Sequence, residues 1–293
     1  SVALAGAAIR TYNNASRGRD NLNGDEIRVM AGSYLFGRGA SAAAGTVQTG
    51  VPVTITRDEQ ATAATVIFNG FNATSREAWL QTRVYDVTLA ESNIIFGGAT
   101  TQVWFDSVIQ SGASDSNVHS GVGMVAYQSC STTGFSDPYC GTSLGRAMLA
   151  RNCTGSLTGS ASIFREARAL VNVSVSGAAS GAWIFWSNSS VGTACSNVVI
   201  DGCVSLYSGN IFINFSSDVL DFSAVNCVAE VVGAATTPLL DLEGNNITNA
   251  TLAHITGAGQ RTNAENDWTA NTNKTCENFF LIGHASPFIA HKD

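Results

Sequence analysis

Asn152-Cys153-Thr154-Gly155 and Asn172-Val173-Ser174-Val175 begin 20 residues apart and are two copies of one phrase. The phrase opens on Asp or Asn, runs through short β-branched, Cys or small residues, and stops at a Gly or Ser break. It recurs at Asp86-Val87-Thr88-Leu89, Asp106-Ser107-Val108-Ile109, Asp201-Gly202-Cys203-Val204, Asn226-Cys227-Val228-Ala229 and Asn249-Ala250-Thr251-Leu252. Successive starts lie 20, 46, 20, 29, 25 and 23 residues apart, and 46 is naturally two steps of 23. A roughly fixed period of this size marks a solenoid, in which each unit buries its apolar face only against its neighbours.

Composition agrees with tight stacking. Of 293 residues 45% are hydrophobic but only 13% charged, about half the usual share. Gly, Ala, Ser, Thr and Asn replace the missing charge, and these fit narrow turns or hydrogen-bond in ladders. The net charge of -7 argues against a nucleic-acid partner, which needs clustered Lys and Arg. No run approaches the ~18 apolar residues of a membrane span. Ser1 to Ala8 is too short, and lacks the basic lead, for an intact signal peptide.

Gly24-Asp25-Glu26-Ile27-Arg28-Val29-Met30-Ala31-Gly32-Ser33-Tyr34 puts Ile27 and Val29 on one strand face and turns at Ala31-Gly32. Val51-Pro52-Val53-Thr54-Ile55-Thr56 and Val66-Ile67-Phe68-Asn69 read as further strands. No convincing amphipathic helix appears, and Ile163 to Leu170 is the nearest candidate. Short strands at this spacing also suit an antiparallel sandwich. The regular period and the scarcity of Asn-Gly and Asp-Gly hairpin turns favour parallel stacking.

The run from Gly24 to Tyr34 resembles the opening coil of right-handed parallel β-helix proteins of the pectin-lyase-like superfamily. The resemblance covers most of residues 24–257 and implies an all-β, single-stranded parallel β-helix of roughly 20–25 residues per coil. The expected organisation is a lead-in over 1–24, the helix over 25–257 with an inserted loop region at 112–144, and a C-terminal tail or cap over 258–293.

Seven cysteines cannot all pair. Cys153, Cys203 and Cys227 share one place in the phrase and are expected as buried thiols filling the interior. Cys130 and Cys140 flank a turn-rich stretch and could close it as a disulfide. No zinc-type Cys/His spacing occurs, so no metal centre is expected. His119, His254, His284 and His291 are scattered. Nine Asn-x-Ser/Thr sequons, several inside the repeat, are read first as Asn and Thr ladders on turns.

Enzymes on the same fold offer comparisons. Asn93-Ile94-Ile95-Phe96-Gly97-Gly98, followed by Leu144-Gly145-Arg146, is similar to a blurred pectin methylesterase pattern. Asn93, however, stands where that family has its nucleophilic Asp, and an amide cannot attack an ester as a carboxylate does. With no Lys before Lys274, a lysine-based lyase is excluded from the solenoid. The arginines Arg146, Arg151, Arg165 and Arg168 remain, near Glu166.

Two constellations stand out. Asp241 and Glu243 share a strand face, and Asp218 and Asp221 precede Asp241 by 23 and 20 residues, close to one coil. Such carboxylates can do glycosidase work at about 5–9 Å separation, hold a calcium ion, or form a solvated stripe. Trp183, Phe185, Trp186 and Phe212 lie on alternating strands, so one aromatic set must face outward, as a subunit interface or a sugar-stacking platform.

The first functional expectation is a non-enzymatic structural or binding module that forms a homotrimer through its lateral wall. Phage tailspikes and capsid decoration proteins look like this, which implies a virion or extracellular surface and neighbouring assembly proteins as partners. The alternative is a secreted carbohydrate-active enzyme. Neither reading needs a cofactor.

Overall fold

Short alternating runs closed by small polar residues let each backbone segment pair with the one a period later, which gives strand N–H and C=O groups partners in the neighbouring coil. The computed structural model describes residues 25–35, 52–69, 81–90, 102–111, 124–133, 139–140, 148–157, 164–165, 167–177, 185–187, 195–207, 213–215, 219–231, 240–241, 247–258 and 272–282. Every strand pairing among them is parallel. Twenty strands form one sheet and five a second. The chain is a parallel β-helix solenoid.

Each coil contributes two strands of the large sheet, joined at a corner. Gln81–Tyr85 and Thr88–Ala90 make one rung, and Gln102–Asp106 and Ile109–Ser111 the next. Met124–Gln128 with Ser131–Thr133, and Met148–Arg151 with Thr154–Leu157, continue the stack. The small sheet stacks Tyr139–Cys140, Phe164–Arg165, Phe185–Ser187, Ile213–Phe215 and Leu240–Asp241. Its register runs Tyr139, Phe164, Phe185, Ile213, Leu240 in one column and Cys140, Arg165, Trp186, Asn214, Asp241 in the next.

The corner explains the opening phrase. Asp86, Ser107, Ser129, Asn152, Asn172, Gly202, Asn226 and His254 all have left-handed backbone, with φ between 51° and 64°. A side chain there costs roughly 1–2 kcal/mol, least for Asn and Asp and nothing for Gly, which is why these residues recur. Hydrogen bonding continues through the bend. Asn152 N–H donates up to Val171 O at 3.0 Å, and Thr154 N–H donates down to Cys130 O at 2.9 Å. Ser129 supplies the corner midway through the 46-residue step. At Asp106 and Asp201 the left-handed residue is the following one, Ser107 or Gly202. Asn249 belongs to another column, and His254 takes its place at the corner.

The core is a set of continuous columns. Ile55, Val84, Phe105, Tyr127, Ala150, Leu170, Ile200 and Ala224 follow one another inside the first wall, each no more than 5% exposed. Burying a large aliphatic or aromatic side chain this way contributes about 1.5–3 kcal/mol. The Phe105 and Tyr127 rings stack at 5.4 Å. The residue after each corner forms a second column: Val87, Val108, Cys130, Cys153, Val173, Cys203 and Cys227, all buried. At the base, Tyr34 packs on Phe68 and donates to Met30 O at 2.8 Å.

Several expectations change. Within the interval 112–144, Met124–Gln128 pairs with Gln102–Asp106 and Met148–Arg151, and Ser131–Thr133 with its own neighbours, so residues 124–133 are a regular rung and not an insertion. The period was obscured because Ser129 replaces Asp or Asn. Stacking also passes residue 257: Thr272–Ile282 pairs along Ile247–Ala258 as one more rung, within the span expected as a tail or cap. Cys130 is a free, buried thiol in the corner column, so it forms no disulfide with Cys140. The helix candidate at 163–170 is strand at Phe164–Arg165 and from Ala167. The lead-in at 1–24 lies outside the described residues.

Candidate functional site

The corner is a polar ladder on the outside of a sealed column. Asn172 Nδ2 donates to Asn152 Oδ1 at 3.4 Å, and Asn226 Nδ2 to Asp201 Oδ1 at 3.0 Å. Near the base, charge replaces amide: Arg57 pairs with Asp86 and Arg83 with Asp106, each reaching the rung above. Arg83 also lies 5.0 Å over the Tyr85 ring. These side chains bind one rung to the next.

The acidic candidates are separated by register. Asp221 sits inside Val219–Val225 with φ 59°, flanked in register by Asn197 and Asn249, which share its left-handed backbone. Asn249 Nδ2 donates to Asp221 Oδ1 at 2.6 Å. This second polar column kinks three long strands, as a bulge does. Asp241 is in the small sheet, where its register neighbour is Asn214. Asp221 and Asp241 therefore do not stack on adjacent turns. The near-20-residue separation failed as a guide because the coils here are longer and the two residues fall on different sheets. Asp218 and Glu243 lie outside the described residues, so the full set cannot be assembled from Asp221 and Asp241 alone.

Of the aromatic candidates, Phe185 aligns between Phe164 and Ile213, and Trp186 between Arg165 and Asn214. Trp183 and Phe212 lie outside the described residues, as do Asn93 to Gly98 and Arg146. Among the described residues no group of three or more His, Cys, Asp or Glu is placed to hold a metal ion, and no helix is long and apolar enough to cross a membrane.

A different apolar wall emerges. Trp104, Ala126, Leu149, Ala169 and Val199 occupy consecutive rungs of one column beside the buried Phe105 column. Trp104 is 48% exposed, Val199 41% and Leu149 38%. The sequence signal for it was present: Trp104 precedes Phe105 and Asp106 in the phrase, so alternation puts Phe105 inside and Trp104 out. It went unnoticed because Leu149 and Val199 look like core residues until their register is known.

The interior holds the other chemical feature. Cys130 and Cys153 stand on adjoining rungs of the corner column, as do Cys203 and Cys227, so each thiol feels the charge of its partner. The partner thiol first, and burial second, push Cys130 and Cys203 above the ordinary thiol range. Each thiol also donates to the carbonyl two residues back, Cys130 to Gln128 O at 3.3 Å and Cys227 to Val225 O at 3.1 Å. Next to this column, Gln110 and Thr132 are buried at facing register positions, and Gln110 Oε1 and Thr132 Oγ1 have no hydrogen-bond partner among the described residues. Compared with known proteins, this chain matches no family model, no curated protein and no solved structure.

Proposed function

We propose that the chain is a non-enzymatic structural or binding β-helix of an extracellular or virion assembly, and that it oligomerises, as a homotrimer, through its lateral wall. The observation that carries this reading is the exposed column Trp104, Leu149 and Val199, spaced by Ala126 and Ala169. Large apolar side chains in line on a flat wall mark an interaction surface, although Ala126 between Trp104 and Leu149 is itself buried. The polar ladders beside the wall fix its shape, so association would not require ordering a mobile surface.

Sedimentation velocity of the purified chain, with Leu149→Lys as comparison, tests this. A trimer that Leu149→Lys converts to monomer supports the reading. A monomeric parent chain that releases oligosaccharide or methanol from an acidic-polysaccharide panel overturns it, and restores the alternative of a carbohydrate-active enzyme.

A further inference from the structure

The corner column places Val at 87, 108 and 173 and Cys at 130, 153, 203 and 227, all buried. The protein therefore accepts Val and Cys as equivalent fillers, yet the cysteines of this corner column occur only as neighbours on adjoining rungs. Each pair is sealed, with its four residues no more than 3% exposed. Paired strands stand about 4.8 Å apart. Two metal–thiolate bonds of about 2.3 Å, laid end to end, span almost that distance.

We propose that Cys130 with Cys153, and Cys203 with Cys227, are two linear two-thiolate sites for a soft two-coordinate cation, each ion clamping two neighbouring rungs. Soft thiolates select soft ions. A tetrahedral ion is disfavoured, since no group of three or more ligating residues gathers anywhere among the described residues. A disulfide is a poorer fit, because it draws Cβ atoms to about 3.8 Å and stacked columns hold them near the rung spacing. On binding, two S–H bonds break, two metal–sulfur bonds form and two protons leave to solvent. Nothing is oxidised or reduced. A divalent ion leaves no net charge in the apolar interior and a monovalent ion leaves one negative charge, so mercury(II) should bind more tightly than silver(I).

The test uses the reduced, desalted full chain, with mercury(II) and silver(I) as probes and native mass spectrometry as the count. Cys140, Cys195 and Cys276 can also take up ions, so the reading is a difference between variants. Cys153→Val should lose one ion, and Cys130→Val and the Cys130→Val/Cys153→Val double variant should lose that same single ion. Cys203→Val and Cys227→Val should behave alike for the second site. Each loaded site should raise the melting temperature, and the matching variant should lose that rise while keeping the circular dichroism of the parent. Ion counts unchanged in the variants, or losses that add up thiol by thiol, overturn the proposal. X-ray absorption of the unmodified chain at substoichiometric mercury is a check that needs no variant: two sulfur neighbours in line support the site, and any other first shell overturns it.

Discussion

Gly202 has no side chain at the point where Asn172, one rung below, places its amide: a Cβ on Gly202 would stand 2.6 Å from Asn172 Oδ1. Gly202 is also the one glycine among the described left-handed corners, at φ 64°. Two costs therefore meet in Gly202→Ala. The left-handed backbone costs an Ala roughly 1–2 kcal/mol, and Asn172 must move off its place in the ladder. A loss of about 2 kcal/mol in urea unfolding is expected. A loss below about 0.5 kcal/mol would mean that the corner relaxes freely.

His254 holds the left-handed corner above Asn226, with φ 52° and an exposed side chain. Histidine has no special tolerance for that backbone comparable to Gly, so the position is under-optimised. His254→Gly should stabilise the chain by about 0.5–1 kcal/mol. Asn226→Ala, at the neighbouring corner, should do the reverse by about 1–2 kcal/mol, since it loses both a tolerant residue and the bond to Asp201. Matched denaturant melts decide both signs.

These corners show why the fold could be read from the chain while its site could not. A left-handed corner accepts few residues, and the requirement repeats every coil, so it leaves Asn, Asp and Gly at a countable period. At Ser107 the preceding Asp106 kept the signal, but it blurred where Ser129 and His254 fill the corner, and there the sequence suggested an insertion at 112–144 and a phrase at Asn249. The wall carries no such backbone constraint. Leu149 and Val199 are apolar inside or out, and only pairing register tells which. Asp221 and Asp241 misled for the same reason, because a separation near one period says nothing of which sheet each residue occupies.

Stability should fall as pH rises above the thiol range. An unfolded Cys loses its proton near pH 8.5. In the native pairs, the partner thiol and burial keep protons on Cys130 and Cys203 beyond that point. The folded chain then binds more protons than the unfolded one, so the unfolding free energy decreases with pH, by about 1.4 kcal/mol per unit for each retained proton. Below the unfolded thiol pKa the sign reverses, because the partner thiol holds Cys153 and Cys227 under the ordinary thiol range and the folded chain then binds fewer protons than the unfolded one. Urea midpoints at pH 9 and 10 measure the fall, and Cys130→Val/Cys153→Val should remove the share of its own pair.

The two basal ion pairs look alike but should differ in strength. Arg57 and Asp86 have side chains 33% and 20% exposed, and Arg57 also donates to Ala61 O at 2.9 Å and Asp58 O at 3.3 Å. Removing Arg57 leaves Ala61 O and a part-buried carboxylate without the guanidinium, while Asp58 O keeps the Ala61 N–H, so Arg57→Ala should cost about 1–3 kcal/mol. Arg83 is 50% exposed, and its pairing with Asp106 is open to solvent screening. With the Tyr85 contact included, Arg83→Ala should cost about 0.5–1 kcal/mol, and less at 1 M salt. The salt response separates the two mechanisms. If Arg57→Ala were as mild and as salt-sensitive as Arg83→Ala, the base of the helix would be held by its apolar columns alone, and the charged ladder would be surface decoration.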